Sequence, residues 1–403
     1  MIEKTNRKNI LVLTSSFPKS KKDHGSQFVY ELSQRLSVYH NITILCPHTK
    51  NTEKKEFFNK IKVIRFQYAP EILENIAYND GIIDNLKKNR WLYLLLPFFF
   101  ISQTLIVYKL IKDNKVDIIH VHWIIPQGIP ILLNWRFIKK KSVKIITTSH
   151  GSDLYAFNNL FGTYLKKQIL NISSALTVVS GSMKKFVEKN YKLKKPVTVI
   201  PMGTNFNTLF KPSSKEKDKN KLLFVGRLIE IKGVDYLIES LKYITNEFPD
   251  IQLTIIGNGS EKSKLSRIVE KNGLEKHIHF IAHLDQKQLL KYYQTSTIAV
   301  FPFIKDNKSQ QEEGFGLVVV EAMGCGCPVI VGNVSSMKDI VVNNKNGIIT
   351  DVKEPEELAR TIITLLKSPE LQKKFSLNSR RHVIKHFSWE QTSNNFLSLI
   401  NEI

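Results

Sequence analysis

Short apolar, β-branched runs alternate with longer segments of helical period along almost all of this 403-residue chain. That alternation admits few folds. Strands joined through helices pair in parallel, and a parallel sheet needs cover on both faces. In the first half the strand candidates are Ile10–Thr14, Ile42–Cys46, Val63–Phe66, Asp117–His122, Lys144–Ser149, Ala175–Val179 and Val197–Pro201, with helical stretches such as Gln27–Ser37 and Lys184–Lys189 between them. A polar stretch follows, Thr204–Asn220, which holds Pro212-Ser213-Ser214 with mixed charges and reads as a linker. A second series then opens with Leu222–Gly226, Gln252–Ile256, His277–Ile281, Ile298–Phe301 and Pro328–Val331. The pattern predicts an α/β protein of two Rossmann-like, doubly wound domains facing a central cleft, residues 1–203 and 221–386, joined by residues 204–220.

The length is enough for two cores of ordinary size. A hydrophobic share of 42% with 24% charged residues excludes a disordered chain. Three cysteines, Cys46, Cys325 and Cys327, are too few for a disulfide framework and suit a reducing compartment. Cys325-Gly326-Cys327 has no second Cys/His pair at zinc spacing and reads as packing. Residues 1–8 are polar and lead straight into a strand, with no secretory signal, so a cytoplasmic location is expected. The net charge of +23 is uneven: residues 1–200 carry 32 Lys and Arg against 13 Asp and Glu, whereas residues 201–403 carry 27 against 23. The first half is thus expected to face something anionic, whether nucleic acid, an acidic polymer or a membrane surface. The segment Trp91–Ile111 approaches transmembrane hydrophobicity, but Pro97 and Ser102-Gln103-Thr104 interrupt it. A buried helix, or one whose apolar face dips into a single leaflet beside Lys87, Lys88 and Arg90, fits it better than a span.

The chemistry concentrates in the run Glu313-Gly314-Phe315-Gly316-Leu317-Val318-Val319-Val320-Glu321. Glycines on both sides of Phe315 let the backbone approach a ligand closely, and the helix that follows aims its free N–H groups at an anion. Glu313 and Glu321, flanking such a site, are suited to accept hydrogen bonds from hydroxyl groups, as a sugar and a ribose offer. Phe224-Val225-Gly226-Arg227-Leu228 ends a strand, and Lys232-Gly233 follows closely, delivering a guanidinium and an ammonium where a diphosphate could be held. As a diphosphate leaves, its charge grows, so such cations stabilise the transition state more than the bound substrate. In the first half, Asp23-His24-Gly25-Ser26-Gln27 opens a helix after a small-residue loop. His120 and His122 share one strand face, and His150-Gly151-Ser152-Asp153 ends the next strand. Those histidines lack the carboxylate or thiolate partners of a zinc site, and His150 is the better candidate for touching substrate.

With these residues laid out, the chain resembles the retaining GT-B glycosyltransferases of family 4 (group 1 type) over nearly its whole length, most strongly from Leu222 to Asp351. The resemblance rests on Val225-Gly226-Arg227-Leu228 with Lys232-Gly233, Glu313-Gly314-Phe315-Gly316 with Glu321, Ala322-Met323-Gly324, Pro328-Val329-Ile330, Ile200-Pro201-Met202-Gly203, Phe210-Lys211-Pro212 and His150-Gly151-Ser152-Asp153. It implies that Arg227 and Lys232 bind the donor diphosphate, with Gly226 at that turn, and that Glu321 binds the ribose. It implies further that Glu313 contacts the transferred sugar, that Gly314 and the amides of Phe315, Gly316 and Leu317 hold sugar and phosphate, and that His150 lies near an outer sugar hydroxyl. Gly25 and Ser26 would form the loop near the phosphates, standing where the family often has paired glycines. Glu313, His150, Arg227 and Lys232 are the expected catalytic residues; no metal or other cofactor is implied, and the nucleoside diphosphate sugar, UDP- or GDP-linked, is a substrate. Residues 387–403 would form a helix crossing back to the first domain.

The expected activity is retaining transfer of a sugar to a glycan or lipid-linked acceptor in cell-envelope polysaccharide synthesis, by a protein peripheral on the inner face of the cytoplasmic membrane. Two other classes compete. A basic nucleic-acid binder would show basic and aromatic residues interleaved, or a reader module, and the chain has neither, so no specific nucleic acid is expected. A nicotinamide-dependent oxidoreductase would need strand–GxGxxG–helix followed by an acid, and none stands near the N-terminus.

Overall fold

The structure, a computed structural model, describes residues 7–20, 23, 27–78, 81–113, 115–214, 217–282, 284–306 and 312–403. Its contacts divide the chain into two compact units. One holds the described residues up to Val179 with Met183–Ile200 and Thr392–Ile403; the other holds Ser180–Ser182 and Pro201–Gln391.

The first unit is built on β1 (Asn9–Leu13), β2 (Asn41–Pro47), β3 (Lys55–Phe58), β4 (Ile61–Phe66), β5 (Ile118–His122), β6 (Lys144–Ser149), β7 (Ala175–Val178) and β8 (Val197–Val199), in the spatial order β3-β4-β2-β1-β5-β6-β7-β8. Every pairing is parallel except β3 with β4. The central strands are buried on both faces, which is why they read as continuous apolar runs rather than alternating ones. Strand β3 was not expected. Its sequence, Lys-Glu-Phe-Phe, carries two charges and is half solvated, as suits an antiparallel edge.

The second unit carries β9 (Lys221–Val225), β10 (Gln252–Ile256), β11 (Ile278–Ile281), β12 (Ile298–Phe301), β13 (Val329–Gly332) and β14 (Ile348–Thr350), ordered β11-β10-β9-β12-β13-β14 and wholly parallel. Strand β14, three residues long, is too short to leave a periodic signal. Both sheets are doubly wound, with the order reversing between β1 and β5 in one and between β9 and β12 in the other. Ligands of such sheets bind outside the carboxyl ends of the strands at that reversal.

One reading gains detail. Within the stretch read as a linker, Phe206 and Phe210 are buried, Arg380 Nη1 donates to the Phe210 carbonyl at 3.1 Å, and Lys217 Nζ donates to the Gly326 carbonyl at 2.7 Å. Polar composition hid two aromatic anchors. In the hydrophobic run after Arg90, one face of helix Leu96–Lys112 is buried, as expected of a helix in preference to a span: Phe99, Val107 and Ile111 pack into the first unit's own core, and Gln103 is buried beside them. The C-terminal helix, Trp389–Glu402, passes from the second unit into the first, where Lys8 Nζ donates to the Ile400 carbonyl at 2.6 Å.

Candidate active site

In the second unit the chain leaves β9 through Gly226 and the exposed Arg227, then makes one 3-10 turn, Glu230–Lys232. Gly233 follows with φ +61°, and a Cβ built there would lie 2.0 Å from the Pro302 carbonyl oxygen. Only glycine lets this segment run so close to the one leaving β12, and Ile304 N donates to the Ile231 carbonyl at 3.0 Å to fix the two together. The reversal point of the sheet is thereby closed by two crossing loops.

Lys232 sits in that crossing, buried, with Nζ 4.3 Å above the centre of the Phe303 ring and ion-paired to Glu313 Oε2. A buried cation costs several kcal/mol unless it is paired, and the carboxylate and the ring face both offset that cost. Burial alone would push the Glu313 carboxyl up; the Lys232 charge and hydrogen bond, the Phe315 amide at 3.3 Å and the Arg227 charge hold it below the usual carboxylate range. Lys232, Glu313 and the charge of Arg227 therefore converge on one place at the end of β9.

Helix Leu317–Gly324 starts immediately after, with Gly316 as its N-cap and no side chain capping it. Its first N–H groups lack partners within the helix, the ordinary state of a helix start. One turn in, Glu321 is buried and accepts a hydrogen bond from Tyr293 Oη at 3.1 Å. Burial pushes its carboxyl up to about 7, against the Tyr293 hydrogen bond, which lowers it. Phe315 turns its side chain into the core against Phe387, so what Gly314, Phe315, Gly316 and Leu317 can offer a ligand is backbone.

The first unit has its own cluster at the carboxyl ends of β5 and β6. His122 Nδ1 and His150 Nε2 share a hydrogen bond of 3.0 Å, with the rings stacked at 10°. His120 lies against His122 at 4.2 Å between ring centres, and its Nε2 meets Thr148 Oγ1 at 2.8 Å. Phe28 and Trp123 pack on His150 at 4.8 and 5.0 Å. Burial pushes His120 and His150 down to about 3, so both are neutral. Asp153 is structural: its carboxylate accepts from Ser149 Oγ, from the His150 and Gly151 amides and from the Ile124 amide at 2.7 Å, which fixes the backbone under His150.

All but two of the expected residues thus have a position. Arg227, Lys232 and Glu313 come together, with Gly226 at the same strand end. Glu321, Gly314, Phe315, Gly316 and Leu317 lie on the adjoining loop and helix, and His150 stands in the first unit. Gly25 and Ser26 fall outside the described residues. The sequence did not reveal the Lys232–Glu313 pair, the Tyr293 partner of Glu321 or the Phe303 platform, because each joins segments far apart in the chain. His122 had a signal in its alternation with His120. Among the described residues no three His, Cys, Asp or Glu side chains are grouped to hold a metal ion, and all three cysteines are free and buried.

Comparison with known proteins adds independent findings. The family model described as glycosyl transferases group 1 matches residues 205–382, and that described as glycosyltransferase family 4 matches residues 25–207. An uncharacterized glycosyltransferase of Methanocaldococcus jannaschii is 31% identical over 350 residues, covering 85% of this chain and 90% of the relative. Among solved structures, a sucrose-phosphate synthase from Thermosynechococcus elongatus superposes with a TM-score of 0.76 at 20% identity, covering 98% of this chain and 99% of that one. Anabaena HepE in complex with UDP gives a TM-score of 0.71 at 16% identity, covering 98% and 100%. The same fold, the carboxyl-edge site and both family matches agree: this chain is a glycosyltransferase and belongs to group 1, family 4.

Proposed function

We propose that the protein transfers a sugar, with retention of anomeric configuration, from a UDP- or GDP-sugar to a glycan or lipid-linked acceptor of the cell envelope. The observation that carries this reading is the convergence of Lys232, Glu313 and the Arg227 charge at the end of β9. Arg227 and Lys232 hold the diphosphate and stabilise it as it departs, without a bound metal. Glu313, relieved of Lys232 by the diphosphate, accepts hydrogen bonds from the sugar; the amides of Phe315, Gly316 and Leu317 support sugar and phosphate, and Glu321 takes the ribose hydroxyls. His150 meets an outer hydroxyl of the sugar. HepE was solved with UDP and with UDP-glucose, which supports a nucleotide-sugar donor here.

In the proposed reaction the bond between the anomeric carbon and the diphosphate oxygen breaks. The acceptor hydroxyl oxygen bonds to that carbon from the same face, and its proton passes to an oxygen of the departing diphosphate. The positive first half, 32 basic against 13 acidic residues, supports an acceptor met at the anionic inner face of the cytoplasmic membrane by a cytoplasmic, peripheral enzyme. Steady-state transfer by wild type, Arg227→Ala and Glu313→Ala, with the product anomer assigned by NMR, tests the reading. A loss of about a hundredfold or more in each variant, with retained configuration, is expected. Full transfer by either folded variant, or an inverted product, would overturn it.

A further inference from the structure

Helix Leu96–Lys112 departs from the usual pattern of a surface helix, whose outward face is polar. Its inward face is normal: Phe99, Val107 and Ile111 are buried in the core. Its outward face is as apolar as the inner one. Phe98, Ile101 and Leu105 are 58%, 55% and 62% exposed, and Trp91 and Leu94, in the 3-10 turn just before the helix, are 77% and 63% exposed. Their spacing of three and four residues puts the helical members on a single stripe. No charged residue occurs from Trp91 to Tyr108. Exposed Lys87, Lys88 and Arg90 stand before the stripe, and exposed Lys109 and Lys112 close it.

The patch is wider than one helix. Helix Gly128–Leu133 packs beside Leu96–Lys112, and helix Leu160–Ile172 packs beside Gly128–Leu133, forming one layer on the first sheet. Leu133 is exposed at the end of the middle helix, and Leu160, Phe161 and Tyr164 are exposed at the start of the third.

We propose that this layer, centred on the outward stripe of helix Leu96–Lys112, is a docking surface for an anionic lipid bilayer, with the helix lying in the plane of the headgroup–acyl boundary. An apolar stripe fits the acyl side of that boundary, and cations at both ends fit anionic headgroups. Trp91, Tyr93 and Tyr108 supply the amphipathic rings that settle at such an interface. A second copy of this chain fits less well. Pairing two of these helices antiparallel would set Lys87, Lys88 and Arg90 of one against Lys109 and Lys112 of the other, all of one sign. The inference deepens the membrane-met acceptor proposed above and shares its basic residues, while the exposed apolar stripe is an observation of its own.

Flotation of the whole protein with vesicles of phosphatidylcholine doped with phosphatidylglycerol tests the inference. Wild type is expected to float, less so with pure phosphatidylcholine, and its tryptophan emission is expected to shift to the blue with vesicles in wild type but not in Trp91→Phe. The double variant Leu94→Glu with Phe98→Glu, both at exposed positions, is expected to keep its melting temperature and lose partitioning by about tenfold or more. A wild type that stays at the bottom of the gradient, or a double variant that floats as wild type does, would overturn the proposal. So would a dimer that the double variant dissolves, without vesicle binding. The effect of UDP-sugars on melting, measured without vesicles, reads the donor site separately and can fail alone.

Discussion

At the residue scale, the ion pair of Lys232 and Glu313 joins two residues that look independent in the sequence. Under the proposed function, an arriving diphosphate competes for Lys232 and releases Glu313 for the sugar. A double-mutant cycle on UDP-sugar binding with Lys232→Ala and Glu313→Gln is expected to show coupling of about 0.5–3 kcal/mol. Additive losses would mean that the two residues act on the ligand separately. Glu321 gives a second test. Its carboxyl lies at about 7 in the folded protein against an ordinary 4.5, so between those values the folded state holds a proton that the unfolded chain has released. Its contribution to stability is complete below the lower value and is lost as pH rises to the upper one. Glu321→Gln, which can still accept from Tyr293, is expected to flatten that dependence. It should raise unfolding free energy near pH 8 by on the order of 1–3 kcal/mol, read by urea denaturation. A variant less stable than wild type there would contradict the assignment.

At the scale of elements, the site depends on two loops that cross at the ends of β9 and β12. Gly233 and Gly273 have nearly the same backbone, φ +61° and +64°, but a Cβ at Gly233 meets the Pro302 carbonyl at 2.0 Å whereas one at Gly273 meets nothing within 4 Å. Gly273→Ala should cost only the left-handed backbone penalty, about 1–2 kcal/mol. Gly233→Ala should cost about 2–4 kcal/mol and weaken donor binding, because the crossing must open. Equal losses in thermal denaturation would show that the close approach does not matter. Strand and helix identity was legible for most of these elements, since buried parallel strands write themselves as β-branched runs. What stayed hidden were β3 and β14, a charged edge and a three-residue strand, along with the packing of Phe206 and Phe210 in a stretch that composition marks as a linker. Of the site, Arg227, Lys232, Glu313 and Glu321 could be named from spacing, because strand ends and helix starts deliver side chains to a known edge. Their partners could not, because Phe303 meets Lys232, and Tyr293 meets Glu321, across segments far apart in the chain.

At the scale of the whole molecule, two sheets of the same winding serve different chemistry. The second unit concentrates ion-paired and phosphate-compatible groups, while the first holds neutral histidines, most of the positive charge and the apolar helix layer. That division supports the proposal of a donor-binding half and a membrane-facing acceptor half. The central claim is that Arg227, Lys232 and Glu313 form a nucleotide-sugar site, and a thermal-shift titration with UDP-, GDP- and ADP-sugars reaches it most directly. One donor class is expected to stabilise the wild type by about 2.7 kcal/mol at a hundredfold excess over its Kd, and to leave Arg227→Ala unshifted at the same concentration. Melting that ignores all three donors, or an Arg227→Ala protein that responds as fully as wild type, would contradict it.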